Sequence, residues 1–255
     1  MKTQSLWKGD FRRIIISSRF WISFFIAIFI LLRPLYGAFG AEETASFLNL
    51  MTAPFGVSDF SPFAAVFAVI PFADSFSEDY ISGYVNPIIM RIGVKRYSRQ
   101  KCFTTAISGG ILMGLVVMTT LCVCAFLATE PDTPESVYFL AGSLWDRMGL
   151  TLGYRRIILA ALKVLLGFIF GCVWALVGLC VSVFITNRYV TLIAPFVIYQ
   201  FLWFLLEESP FNPVYVFRGD SNLIPSFNFI LLYQGSLIAI CSIISINGIR
   251  KKVTI

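Results

Sequence analysis

Residues 72–101, FADSFSEDYISGYVNPIIMRIGVKRYSRQK, form the long polar interval between apolar runs of membrane length in this chain. Ser75 is followed three residues later by Glu78, which is the spacing of a capping box. Gly83 stands where a glycine commonly ends a helix. These local signals predict a helix of about two turns at the start of the interval.

The predicted helix is too short to be stable unaided, so we expect it to dock on another surface. Phe76, Tyr80 and Ile81 are spaced so that they share one apolar helix face. We therefore interpret Ser75–Gly83 as a docking helix that takes a mechanical signal from another subunit. Residues 88–101 follow the Asn86-Pro87 turn and are rich in basic side chains. We interpret them as a segment at the membrane interface that continues into the next apolar run.

The composition is that of a membrane protein. Of the 255 residues, 58% are hydrophobic and 13% are charged, whereas a soluble domain carries about 25% charged residues. The chain has no histidine, which removes the commonest general base and the commonest metal ligand. The six cysteines lie in or beside apolar runs and are interpreted as packing residues rather than as a metal or disulfide site.

Six apolar runs are candidates for membrane spans. They are residues 20–39, 55–74, 102–128, 157–185, 189–206 and 228–247. Residues 1–19 alternate basic and apolar side chains, which predicts an amphipathic helix on the membrane surface, with a flexible basic tail as the alternative. Residues 38–40 would also suit signal-peptide cleavage, but an even number of spans favours keeping the first run.

Most Lys and Arg residues lie in the N-terminal segment, in residues 75–101 and at the C-terminus, and most acidic residues lie in the other intervals. The positive-inside rule therefore predicts that both termini and residues 75–101 face the cytoplasm. Arg147, Arg155 and Arg156 stand against this assignment. The chain is predicted to be one all-α membrane domain over residues 1–255. It has six transmembrane helices, an N-terminal interfacial helix and a short cytoplasmic coupling helix between helices 2 and 3.

A stripe of small residues marks one face of the fourth span. Its members are Gly167, Gly171, Ala175, Gly178 and Ser182. Ala106, Gly110 and Gly114 have similar spacing on the third span. Small side chains let helices approach closely in lipid, so both stripes predict packing seams. Such a seam is either static or slides during transport.

Lys163 is a charged residue inside an apolar run, and such residues are functional candidates by default. If residues 182–188 mark the cytoplasmic end of this run, about twenty apolar residues counted back from there end near Lys163. This count places Lys163 at the outer interface, where its aliphatic stem would let the ammonium group reach water. Five residues of the first and fifth spans are candidates for a substrate path: Phe24, Phe25, Tyr199, Gln200 and Trp203. An interfacial aromatic belt is the alternative interpretation.

Catalytic and nucleotide-binding motifs are absent from the sequence. We therefore expect no catalytic, cofactor or metal site in this chain, so transport would need energy from a partner. An intramembrane enzyme is disfavoured because polar side chains within the spans are few and unpaired.

Two local patterns carry a family resemblance. Glu78, Ser82-Gly83, Arg91 and the run KRYSRQK at 95–101 precede the third span, and Asn187-Arg188-Tyr189-Val190 precedes a proline-containing fifth span. In these patterns, and in its six spans, the chain resembles the type-2 ATP-binding-cassette permeases of bacteria. Asp79 departs from the family, which commonly has a basic residue beside the glutamate.

The resemblance implies a permease in the bacterial cytoplasmic membrane that pairs with itself or with a second permease. Two separate ATPase subunits would bind ATP and Mg²⁺, and membrane lipid, but no nucleic acid, would be a further partner. The coupling residues would be Phe76, Glu78, Tyr80, Ile81 and Gly83. The exported substrate is expected to be an antimicrobial or other amphipathic peptide. A membrane scaffold or sensor without an ATPase partner is the alternative function.

Overall fold

The structure is a computed structural model that describes residues 4–38, 46–56, 58–129, 144–148, 155–219 and 226–254. Over these ranges the secondary structure is helical. The first six α-helices are α1 (Gln4–Ile16), α2 (Ser18–Ala38), α3 (Phe47–Gly56), α4 (Ala64–Val69), α5 (Ser75–Ile81) and α6 (Val85–Ile92). The others are α7 (Val94–Leu127), α8 (Leu144–Arg147), α9 (Arg155–Phe184), α10 (Arg188–Leu205), α11 (Pro213–Arg218) and α12 (Phe227–Thr254).

Five of the described helices, α2, α7, α9, α10 and α12, are long and apolar enough to cross a membrane. A sixth span results if α3 and the segment Ser61–Val69 count as one bent pair. The prediction of an all-α chain with several membrane-length helices is confirmed over the described ranges, and this architecture is that of a multi-pass membrane protein.

The predicted second span, residues 55–74, is not one continuous helix. α3 ends at Gly56, a short 3-10 turn covers Ser61–Phe63, and α4 extends only to Val69. The two halves are bent by 56°. Pro62 stands at the start of the second half and has no backbone N–H with which to continue a helix from the preceding residues.

Two backbone carbonyls at the break accept hydrogen bonds from another helix. The Tyr199 hydroxyl donates to the Ser61 carbonyl at 2.7 Å, and Gln200 Nε2 donates to the Pro62 carbonyl at 2.8 Å. Such partners are required wherever non-helical backbone lies within an apolar protein interior. Side chains of α10 therefore hold the bent pair in place.

The centre of the bundle is the antiparallel pair α7 and α9. Gly109 of α7 lies opposite Gly171 and Ala175 of α9, and Val117 lies opposite Gly167. A Cβ added at Gly109 would be 2.6 Å from the Ala175 Cβ, closer than side chains approach. The glycines thus allow the two backbones to pack with almost no side chain between them.

The small-residue stripe of α9 contacts more than one helix. Gly167, Gly171 and Ala175 face α7, whereas a Cβ at Gly178 would be 2.8 Å from Val69 of α4. Further along, the Ser182 carbonyl accepts a 3.4 Å hydrogen bond from a side chain of α5. One face of α9 therefore supports α7, the bent pair and α5 in turn.

Candidate functional site

The short helix α5 has nearly the predicted bounds, but its N-terminus is built differently. Ser75 is its first helical residue, and the Ser75 Oγ is buried without a hydrogen-bond partner among the described residues. Glu78 is directed to arginine side chains instead of back to the helix start. The predicted capping box is therefore wrong, because ion pairs from distant parts of the chain take the Glu78 carboxylate.

The C-terminus of α5 matches the expected glycine stop. Gly83 has φ of +71°, a left-handed conformation that glycine adopts without strain. The Gly83 amide donates to the Tyr80 carbonyl at 3.1 Å. α5 consequently ends in a tight turn at a fixed place.

The predicted apolar face of α5 is divided between the protein interior and the surface. Phe76 is completely buried in a cluster that includes Val85, Tyr97 and Leu179. Ile81 is 66% exposed and Tyr80 is 40% exposed. Phe76 is therefore an internal packing residue rather than part of a docking surface, and the exposed tip of the helix is formed by the other two.

Three carboxylates of one segment meet four cations from four other helices, and we call this cluster the charged end. It consists of Asp74, Glu78 and Asp79 with Arg13 of α1, Arg19 of α2, Lys101 of α7 and Arg188 of α10. Arg19 spans Asp74 at 3.0 Å and Glu78 at 3.1 Å. Arg188 reaches the same two carboxylates at 3.1 Å and 3.4 Å. Each arginine thus ties its own helix to α5.

The most deeply buried pair of the charged end is Asp79 with Lys101. The Lys101 Nζ lies 2.6 Å from the Asp79 carboxylate, and their side chains are only 4% and 6% exposed. The Tyr97 hydroxyl donates to the same carboxylate at 3.3 Å, and Arg13 approaches it at 3.4 Å. An acid with this many donors is held in one orientation.

Asp74 lies at the base of α5 and is also buried. Its burial raises the pKa of Asp74 above the ordinary value, and repulsion from Glu78 adds to this, whereas Arg19 and Arg188 oppose it. Proton uptake by Asp74 would weaken its bonds to both arginines. The charged end therefore contains one carboxyl whose protonation state bears on how α2 and α10 hold α5.

α5 is also joined to the central helix α9. The Ser77 Oγ donates to the Ser182 carbonyl at 3.4 Å. Phe76 packs in the same cluster as Leu176, Leu179 and Val183 of α9. The segment Asp74–Ile81 thus has direct contacts with α1, α2, α7, α9 and α10.

At the opposite end of α7 and α9, Lys163 lies in what we call the caged end, formed by Lys163, Phe55, Trp145 and Phe217. The Lys163 Nζ donates to the carbonyls of Phe217, at 3.0 Å, and Arg218. It lies 4.4 Å from the centre of the Phe55 ring and 5.5 Å from that of Trp145. Aromatic faces and the carbonyls at a helix C-terminus both attract a cation.

The expectation that Lys163 snorkels to an interface is wrong. The residue is 2% exposed, and its ammonium group points at the last turn of α11 instead of at solvent. The carbonyls that it binds follow more than 50 residues later in the chain, so no local pattern indicated them. Lys163 joins α9 to α3, α8 and α11.

The five residues predicted to line a substrate path lie on two different helices. Phe24 and Phe25 lie on α2, which packs on α3, α4 and α7. Tyr199, Gln200 and Trp203 lie on α10, which packs on α4, α9 and α11. Tyr199 is fully buried with its ring 5.0 Å from Trp174, and its hydroxyl holds the bent pair. Tyr199 and Gln200 therefore have structural contacts that account for them.

Among the residues that the structure describes, no group of three or more cysteines or acidic residues could hold a metal ion. The acidic residues of the charged end are taken up by arginine, lysine and tyrosine. This end is thus arranged to connect helices.

Comparison of the chain with protein-family models, with curated proteins and with solved structures found no match. The charged end and the sequence patterns around it are therefore the features of this protein that bear on its function.

Proposed function

We propose that this protein is the membrane-spanning permease subunit of an ATP-binding-cassette exporter, and that α5 couples it to a separate ATPase subunit. In this proposal the charged end and both termini face the cytoplasm, and ATP and Mg²⁺ bind to the partner. The protein itself carries out no bond chemistry. Its part is to convert movement of α5 into movement of the spanning helices.

The observation that carries the proposal is the combination of an exposed tip with buried connections on one two-turn helix. Ile81 is exposed at the tip, and the adjacent turn presents Tyr84, which is 60% exposed. The buried side of α5 carries Phe76, which packs on α9, and the carboxylates of this segment pair with cations of four other helices. A helix that only packed locally would need neither feature.

The proposed substrate is an amphipathic molecule such as a cationic peptide. Acidic residues predominate in the intervals that the charge distribution assigns to the outer side, and a cation leaving the membrane would be attracted there. The permease is proposed to act as a dimer, with itself or with a second permease.

The proposal is tested by purifying the tagged chain from its native host in mild detergent and identifying the co-purifying chains by mass. We expect a chain with a G-x-x-x-x-G-K-[ST] loop and ATP hydrolysis in the purified complex. Ile81→Ala should reduce the amount of bound ATPase by about tenfold or more. An apolar side chain at the centre of a protein–protein interface contributes about 1–3 kcal/mol to binding.

Ile16→Ala is the matched control. Ile16 is 65% exposed and lies on α1, which is joined to the charged end, but it is not part of the tip. The control variant should bind as much ATPase as the unaltered chain. Purification without any ATPase, or equal binding by the Ile81 variant and the control, would contradict the proposal and favour a scaffold or sensor.

A further inference from the structure

Beside the charged end, α7 carries a second set of cations that are arranged differently. Lys95, Arg96 and Arg99 are exposed on the first turns of α7. Among the described residues no carboxylate pairs with any of the three, although Lys101 on the same helix is paired and buried. Three adjacent positive charges without an acidic partner repel one another, and an anion placed between them would remove this repulsion.

These cations line an open cleft with an aromatic residue at one end. The cleft has a volume of about 630 Å³ and is lined by Lys95, Arg96, Arg99, Gln100 and Phe103. One wall is fixed, because Gln100 Nε2 donates to Asp10 of α1 at 3.0 Å. Phe103 is 49% exposed. The cleft is therefore positive along most of its length and apolar at the end nearer the middle of α7.

The order of these residues along α7 corresponds to depth in a membrane. α7 has 34 residues and is about 51 Å long at about 1.5 Å per residue, whereas a hydrocarbon core is about 30 Å thick. Its polar first turns thus lie outside the core. Lys95, Arg99 and Phe103 are spaced four residues apart and share one face, so the ring lies one turn deeper than the charges.

We propose that this cleft binds one anionic phospholipid, with the phosphate of the headgroup between Lys95, Arg96 and Arg99 and the upper acyl chain against Phe103. The charge complementarity and the depth of the ring both match that ligand. Cations at an anionic membrane surface each increase binding about fivefold, and an aromatic ring at this level packs on lipid. The site does not depend on an ATPase partner.

The test uses the full chain in nanodiscs of phosphatidylcholine with or without phosphatidylglycerol, with retained lipid counted by native mass spectrometry after extraction. The unaltered chain should retain phosphatidylglycerol in preference to phosphatidylcholine. The double variant Lys95→Gln/Arg99→Gln should lose about 25-fold in that preference, since each removed charge contributes a factor of about five. The double variant Arg12→Gln/Lys251→Gln removes the same charge at exposed positions outside the cleft and should keep the preference.

A second variant separates a phospholipid from a free phosphate. Phe103→Ala leaves the charge unchanged and should still lower retention of phosphatidylglycerol by several-fold, while soluble glycerol phosphate in excess should not displace the lipid. Equal loss in both double variants would show a general charge effect and overturn the proposal. Displacement by glycerol phosphate, or an unchanged Phe103 variant, would show a phosphate site without a lipid and overturn it as well.

Discussion

Each end of the α7–α9 pair buries a lysine, and the described partners of the two ammonium groups differ. Lys101, at the charged end, is 3% exposed and pairs with the Asp79 carboxylate at 2.6 Å. Lys163, at the caged end, is 2% exposed and donates to backbone carbonyls among aromatic rings. The charged end joins α5 to α1, α2, α7 and α10, whereas the caged end joins α9 to α3, α8 and α11.

The difference indicates which end is suited to movement. Ion pairs among several arginines and carboxylates can exchange partners, because each arginine of the charged end reaches two acids. The contacts described for Lys163, to two carbonyls at a helix C-terminus and to the surrounding rings, all depend on one position of its ammonium group. We therefore expect the arginine pairs of the charged end to rearrange more readily than the contacts of the caged end.

The largest effect should come from removing one partner of the buried pair at the charged end. Asp79→Ala leaves Lys101 as an uncompensated buried charge, which costs about 3–5 kcal/mol. Thermal unfolding in detergent measures this loss. The double variant Asp79→Ala/Lys101→Met should recover most of it, since a buried pair replaced as a whole is often neutral. Failure of the double variant to recover would mean that Arg13 and Tyr97, not Lys101, are the partners that require Asp79.

At the caged end, Lys163→Met should cost less, about 2 kcal/mol. The loss of charge-assisted hydrogen bonds to two carbonyls is partly offset, because no ammonium group then has to be removed from water. Hydrogen exchange should increase in α8 and α11 and remain unchanged in α5. Arg33→Gln is the control at the same end, since its ion pair with Asp59 is about three-quarters exposed and contributes less than about 0.5 kcal/mol. Increased exchange in α5 would show that the two ends are not independent.

The smallest effect should come from the seam between the two ends. Gly109→Ala would place a Cβ 2.7 Å from the Ala68 carbonyl oxygen, and overpacking of this kind costs about 1–2 kcal/mol. Because the seam joins both ends, hydrogen exchange should increase in α5 and α11 together.

Gly114→Ala is its matched control. The added Cβ there would be 3.5 Å from the nearest atom of Phe168, an ordinary contact, and the change should be within about 0.5 kcal/mol. Equal destabilisation by the two alanines would show that the close approach at Gly109 does not determine the outcome, since the gain in helix propensity from glycine to alanine is the same at both positions.

The membrane-length helices could be predicted from the sequence because apolar length is a local property. The end of α5 at Gly83 was predictable for the same reason. The partners of Glu78 were not, since Arg13 and Arg19 lie 65 and 59 residues away and compete with the local capping pattern. Gly109 was missed because it lies outside the four-residue spacing of Ala106, Gly110 and Gly114, yet it faces Gly171 directly.

The support that α10 gives to the bent pair also constrains the order in which this chain can be assembled. The Ser61 carbonyl accepts from the Ala64 amide and also from the Tyr199 hydroxyl, and the Pro62 carbonyl accepts from Gln200, 138 positions later. The two side-chain hydrogen bonds cannot form until α10 has been made. The bent pair is therefore completed late, and truncation before Tyr199 should leave its two halves without the support of α10.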